Sequence, residues 1–307
     1  MSNRADGQFS SYYGQPVLKE PVWKPVVPVY FFIGGLAGAS SALAFGARLI
    51  GNQRLARNST FLALAGIMVS PVLLIVDLGR PERFYNMLRM FKLTSPMSVG
   101  SWLLSGLGSA LGVAGLCELF GVMPRIKWLA QAVAALLGLP LSTYTAALVA
   151  DTAVPAWHDA RCELPFVFAG GAAASAGAAA LLVTQGEDAT PALRVAMAGA
   201  VLEAAAAGAM ERRLGDFTGE PYRQGKAGRA EKLARGATVA GAAMVALGRQ
   251  RRIGSIAGPA LLLGGSLMQR WAVYEAGMQS AHDPKYTIVP QRRRLETTRS
   301  GAGATTP

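Results

Sequence analysis

Histidine and cysteine are nearly absent: the 307 residues hold two of each. A haem b anchor needs histidine ligands inside its helices. His158 and His282 both fall in polar stretches outside the apolar runs, which excludes a haem-bearing cytochrome b subunit. Cys117 and Cys162 lie far apart, form no CxxC pair and have no metal-ligand spacing, so two separate thiols are expected. HExxH, GxSxG and Walker-type signatures are missing too. Any redox chemistry therefore uses an exchangeable organic carrier or a partner's cofactor. Charge is also scarce, at 16% Asp, Glu, Lys and Arg, where a soluble domain carries about 25%. The 30 basic residues outnumber the 18 acidic ones. They sit in short stretches between apolar runs, without a basic face interleaved with aromatics. That pattern fits headgroups or an acidic partner and sets nucleic acid aside.

What the chain has instead is apolar length. Hydrophobic residues make up 51% and mean hydropathy is +0.30. A spanning helix needs about 20 mostly apolar residues. Eight stretches meet or approach that: Val27–Leu49, Thr60–Leu78, Val99–Phe120, Ile126–Val149, Leu164–Thr184, Pro191–Met210, Leu233–Leu247 and Ile253–Tyr274. The seventh is the shortest and begins among Ala, Gly and Arg. Backbone groups have no water partner in lipid, so these runs read as helices. None alternates as barrel strands do. The expected fold is all-α, a polytopic membrane protein with about eight transmembrane helices. The small residues from Ala169 to Ala180 predict a close helix–helix seam. Residues 1–26 are polar and lack the apolar core of a cleavable signal, so the first span acts as its own insertion signal. Lysine and arginine are commoner on the side holding both termini, which predicts cytoplasmic termini in the inner membrane.

Ionisable groups within spans are costly and are functional candidates by default. Asp77 ends the second span in VDLGRPERF, close to Arg80 and Arg83. It reads either as a helix-end ion pair or as a proton donor and acceptor at a cavity mouth. Tyr144, in LSTYTAALVADT, either packs its ring or donates its hydroxyl to a ligand carbonyl. Ser142, Thr143 and Thr145 surround it with polar groups, and Pro140 frees a backbone carbonyl in the same helix. Glu203 stands among small and apolar residues, where burial favours the neutral acid unless Arg270 or water reaches it. It reads as a proton relay or as one end of an interhelical bond. Arg270, in the last span, needs an acidic or carbonyl partner unless it snorkels. Glu118 and Asp151 read as interfacial.

Four stretches together resemble a known family. They are WKPVVPVYFFIGGLAGASS (Trp23–Ser41), DLGRPERFYNMLRMFKLTSPMSVGSW (Asp77–Trp102), YTAALVADTAVPAW (Tyr144–Trp157) with Leu164–Gly171, and GGSLMQRWAVYEAG (Gly264–Gly277). The chain is similar to the NrfD/polysulfide-reductase membrane subunits, the quinone-reacting anchors of molybdenum and iron–sulfur oxidoreductases. The resemblance implies two four-helix bundles, here residues 27–149 and 150–274, followed by a polar tail over 275–307. It implies an exchangeable quinone, menaquinone or ubiquinone, in the first bundle, with no haem and no metal in this chain. Asp77 and Tyr144 match the pocket positions, and Trp23 lies in the matching N-terminal stretch. Relatives can use a histidine just before the first helix. This chain reads PVLKEPVW there, so Glu20 is the substitute candidate. Glu203 and Arg270 match polar positions on a proton path in the second bundle.

The implied partners are a 4Fe–4S ferredoxin-like subunit and a molybdopterin catalytic subunit. Arg80 and Arg83, with Arg89 and Lys92, are the expected docking residues. The bottom-up reading is compatible with this: quinone chemistry moves two electrons and two protons, and requires an apolar slot, donors to the carbonyls and a proton route. Buried Asp, Glu and Arg also suit a proton-coupled transporter, and a purely structural anchor is a third reading.

Overall fold

The computed structural model describes residues 18–19, 21–247 and 252–292. It is 86% helix, with no strand among the described residues. Eight long helices occupy the places of the eight apolar runs: α1 (Val26–Leu49), α2 (Gln53–Asp77), α4 (Pro96–Phe120), α5 (Pro124–Ala150), α7 (Leu164–Val183), α8 (Thr190–Thr218), α10 (Gly225–Leu247) and α11 (Arg252–His282). Short helices α3 (Asn86–Arg89), α6 (Pro155–Asp159) and α9 (Glu220–Arg223) lie in the connections. Proline opens the first turn of α4, α5, α7 and α8, where its missing N–H has no helical partner to lose. Gly121 ends α4 in the left-handed region at φ 65°. The side chain of Asn52 caps α2 by accepting from Leu55 N–H at 3.0 Å. That cap starts α2 seven residues before the apolar run does.

Among the described residues six helices are long and apolar enough to cross a membrane: α1, α2, α4, α5, α7 and the Gly186–Thr218 stretch containing α8. The chain is a multi-pass membrane protein. α10 and α11 form where the seventh and eighth spans were expected but are more polar. α10 carries Lys226, Arg229, Glu231, Lys232 and Arg235, and α11 carries Gln269, Arg270 and Glu275. α11 also continues eight residues past the expected end, through His282. Exposed Val69, Val72 and Val76 on α2, Leu116 and Leu119 on α4, and Leu129, Val133 and Leu136 on α5 present apolar surface outward, as a bilayer requires.

α1, α2, α4 and α5 pack on one another, as do α7, α8, α10 and α11. The two sets meet where α7 lies against α1 and α5 and where α11 touches α1. The small-residue seam predicted on α7 is present. A methyl group added at Gly177 would lie 2.6 Å from the Ala192 carbonyl of α8, and one at Gly199 would lie 2.6 Å from the Gly170 carbonyl. Van der Waals contact and backbone approach drive such seams in lipid. Gly177→Leu is expected to separate α7 from α8 and destabilise the fold by about 1–3 kcal/mol. Thermal unfolding in detergent checks this, with exposed Gly46→Leu as the control that leaves the midpoint unchanged.

The stretch after α11 is tied back to α9. Glu220 Oε2 is 3.0 Å from Lys285 Nζ and accepts from the Tyr286 hydroxyl at 3.0 Å. The Lys285 ammonium, helped by Tyr286, holds the Glu220 carboxyl below its ordinary range. A depressed carboxylate stabilises above its unfolded value of about 4.3, and the effect is lost as pH falls through the lower folded value. Amide protection factors in residues 285–292, taken relative to the intrinsic exchange rate at each pH, are therefore expected to fall below pH 4. Glu220→Gln should give the same low protection factors there at pH 7 and pH 4.

Candidate functional site

Asp77 is the last residue of α2, and its partner comes from the segment just before α1. Its Oδ1 accepts the Lys24 backbone N–H at 2.9 Å, and Lys24 Nζ donates to the Val76 carbonyl at 2.8 Å. Among the described residues no ion pair joins Asp77 to Arg80 or Arg83, the partners its sequence neighbourhood suggested. Lys24 directly precedes Pro25, which disfavours helical geometry at Lys24 and leaves its N–H outside α1 and available to the carboxylate. One oxygen fixes Asp77 in place, leaving Oδ2 for another partner.

An aromatic run extends inward from there. Trp23 stacks on Trp157 with ring centroids 5.2 Å apart and meets Phe31 edge-on at 6.4 Å. The Trp23 carbonyl accepts the Tyr274 hydroxyl of α11 at 2.7 Å. Trp157 donates to the Val273 carbonyl at 2.7 Å, and its ring occupies the space left by the missing side chain of Gly277. Phe31 then touches Tyr30 at 6.1 Å, and Tyr30 lies beside Tyr144. The Tyr30 hydroxyl is buried facing Tyr144 and has no other hydrogen-bond partner among the described residues. Tyr144 packs on Gly100 of α4, where any side chain would collide with the phenol. Leu74 and Tyr144 border two apolar clusters at once, one spread over α1, α5, α7 and α11 and one over α1, α2, α4 and α5. Three residues singled out from the sequence, Trp23, Asp77 and Tyr144, thus belong to one continuous region at the end of α2. Glu20 lies outside the described residues.

Glu203 and Arg270 meet. Arg270 Nη1 bonds Glu203 Oε1 at 2.8 Å and Ser266 Oγ at 2.7 Å, and Nη2 bonds the Phe168 carbonyl at 2.8 Å. The guanidinium also lies over the Phe168 ring, 5.1 Å from its centroid. The two side chains are 1% and 5% exposed, so neither snorkels to the surface. Gly171 makes room: a Cβ there would strike Arg270, Glu203 and Ser266. Glu203 Oε2 and Arg270 Nε have no partner among the described residues. Phe168 also touches Phe31 at 5.9 Å, so the aromatic run and the buried ion pair share a wall. On the other side lies Glu231 of α10, nearly buried and bonded to Arg235, which also pairs with Glu211. Glu231, Arg235 and Glu211 line an open cleft of about 740 Å³ beside α8 and α10.

The connection from α2 to α4 is exposed except for half-buried positions such as Phe84, Met87 and Leu88. Arg80, Arg83, Arg89 and Lys92 are exposed alongside Tyr85, Met90, Phe91 and Leu93. Cys117 is buried and Cys162 exposed, both as free thiols. Among the described residues no group of three or more His, Cys, Asp or Glu is placed to hold a metal ion.

Sequence reasoning missed Tyr30, Lys24, Ser266, Gly171 and Glu231. Tyr30 and Gly171 were visible only inside matching blocks, the first as one aromatic among several and the second as a packing glycine. Lys24 acts through its backbone, which side-chain identity does not encode. Glu231 sits in a charged stretch that read as loop.

The chain matches the NrfD-type polysulfide reductase family over residues 9–283, nearly its whole length. No curated protein matches it. With that match and six apolar membrane-length helices, the chain is a multi-pass membrane subunit of an oxidoreductase and belongs to the NrfD polysulfide reductase family.

Proposed function

We propose that this subunit exchanges electrons between the membrane quinone pool and an iron–sulfur partner, with the quinone held at the end of α2. The observation that carries this reading is the convergence of Asp77, Trp23, Tyr30 and Tyr144 on one partly apolar region from three separate parts of the sequence. Aromatic walls suit a quinone ring, and phenol and carboxylate suit its two carbonyls. A quinol gives up two electrons and two protons, so electron exchange at this place requires a proton route. Asp77 lies at the surface end and supplies it, while Tyr144 orients the ring from within. In this reading α1, α2, α4 and α5 form a first bundle that carries the quinone. α7, α8, α10 and α11 form a second bundle, and all eight helices cross the inner membrane with both termini cytoplasmic.

The buried Glu203–Arg270 pair serves a proton path in the second bundle. Its two unpartnered polar atoms, and the carboxylate of Glu231 on the way to an open cleft, support that role.

The exposed basic and apolar connection between α2 and α4 docks the 4Fe–4S ferredoxin-like subunit, which in turn carries the molybdopterin subunit. Adjacent exposed cations and large apolar side chains are the composition of a partner surface. Reversing charge in Arg80→Glu/Arg83→Glu is expected to cut copurification of the iron–sulfur subunit by about tenfold. Unchanged recovery of the complex would remove these arginines from the interface.

Binding is tested on the purified chain with a fluorescent quinone analogue. Saturable binding that weakens in Trp23→Ala and Asp77→Asn supports the site. Saturable binding that neither substitution alters would place the quinone elsewhere.

A further inference from the structure

The opposite end of α2 carries a second polar construction. Arg48, at the end of α1, reaches into the first four helices. Its Nη2 pairs with Glu118 Oε2 at 2.8 Å, its Nη1 donates to Gln53 Oε1 at 2.8 Å, and its Nε donates to Gln131 Oε1. Gln131 is 1% exposed and donates onward to Thr60 Oγ1 at 2.8 Å. Lys127 Nζ lies 3.2 Å from the same Glu118 oxygen. Two cations thus share one carboxylate, and Glu118 has no negative charge left to offer.

Glu118 forms one wall of an open cleft of about 740 Å³, with Gln53, Arg54, Arg57, Asn58, Phe61 and Val183 among its other walls. Arg54 and Arg57 project from the first turns of α2 and are exposed. Their charges are poorly met. Arg54 has only Asp188, at 3.8 Å, with both side chains largely in solvent. Arg57 lies over the Phe61 ring at 5.9 Å and has no carboxylate in ion-pair range among the described residues. Asn58 is fixed as wall: its amide donates to the Val183 carbonyl at 2.8 Å and to Thr184 Oγ1 at 2.9 Å. The first-turn N–H groups of α2 add a positive dipole end at the same place.

The walls give the ligand its chemistry. Two under-compensated guanidiniums favour a phosphate, which accepts paired N–H donors. Phe61 and Val183 belong to helices long and apolar enough to span the bilayer, so the cleft crosses from polar helix ends to apolar wall. We propose that it binds the phosphodiester of an anionic phospholipid, with Arg54 and Arg57 on the phosphate and Phe61 and Val183 against the glyceride. The site lies at the far end of α2 from Asp77 and does not depend on the quinone assignment.

The test uses the full chain purified in mild detergent, with lipid retention measured by native mass spectrometry. Phosphatidylglycerol is compared with phosphatidylcholine. Wild-type protein is expected to retain the anionic lipid, and Arg54→Gln/Arg57→Gln to lose about tenfold in that retention. Arg212→Gln/Lys226→Gln removes the same charge elsewhere and should leave retention unchanged. Equal retention of the two lipids, or loss in both double variants alike, would overturn the proposal. Millimolar glycerol phosphate separates membrane and soluble sources. Failure to displace the lipid supports the proposal, whereas full displacement would make this a soluble-phosphate site and overturn the lipid assignment.

Discussion

Arg270→Met is expected to destabilise the protein by about 3–5 kcal/mol, the largest effect of any single change considered. The methionine fills much of the space but leaves Glu203 buried without its cation. The Phe168 carbonyl and Ser266 Oγ lose their donor at the same time. A lone carboxylate among α7, α8 and α11 must then either take a proton or draw in water. Unfolding in a graded detergent or SDS titration measures the loss. Glu203→Leu/Arg270→Met removes both charges and should return stability to within about 1–2 kcal/mol of wild type, because an apolar pair often replaces a buried ion pair without penalty. The same double variant should still lack proton movement through the second bundle. A single variant as stable as wild type would mean that the pair contributes nothing to the fold.

Tyr144→Phe and Asp77→Asn are expected to lower quinol-dependent turnover by about 10²–10⁴-fold, the range for removing a positioned acid or base. Both changes are nearly isosteric. Tyr144→Phe keeps the ring on Gly100, and Asp77→Asn keeps an oxygen for the Lys24 N–H. Subunit assembly and thermal midpoint should therefore stay close to wild type while turnover falls. That separation distinguishes a reacting pocket from a purely structural anchor. Tyr30→Phe is the informative third variant, since its buried hydroxyl has only that of Tyr144 beside it.

The helical class and the places of all eight long helices were legible in the sequence because apolar length is a one-dimensional property. So was a close seam on α7, though not its partner α8, since small residues at helical spacing have few other uses in lipid. The ends of the last two helices were not legible. α10 and α11 bury polar side chains such as Thr238, Gln269 and Arg270 against neighbouring helices, and hydropathy cannot tell inward polarity from loop polarity. The pairing of Glu203 with Arg270 was accessible because each needed a partner and few existed. Asp77 stood out as a candidate in the sequence but was given the wrong neighbours. Arg80 and Arg83 are close in sequence and lie at the two ends of a proline-led turn at residues 81–83, yet the carboxylate is met by the backbone of Lys24. Glu118 read as an interfacial charge, while the fold places it between Arg48 and Lys127. Contacts across about 50 or more residues depend on helix packing, which the order of residues alone does not display.

The central claim is that a quinone reacts at the end of α2 and passes electrons to an iron–sulfur partner. The most direct measurement mixes the purified complex with a short-chain quinol and follows reduction of the partner's clusters by electron paramagnetic resonance. Wild-type complex is predicted to reduce them, and complex carrying Tyr144→Phe in this subunit to do so at least a hundredfold more slowly with its subunits still assembled. Cluster reduction at the wild-type rate in that variant would contradict the assigned site.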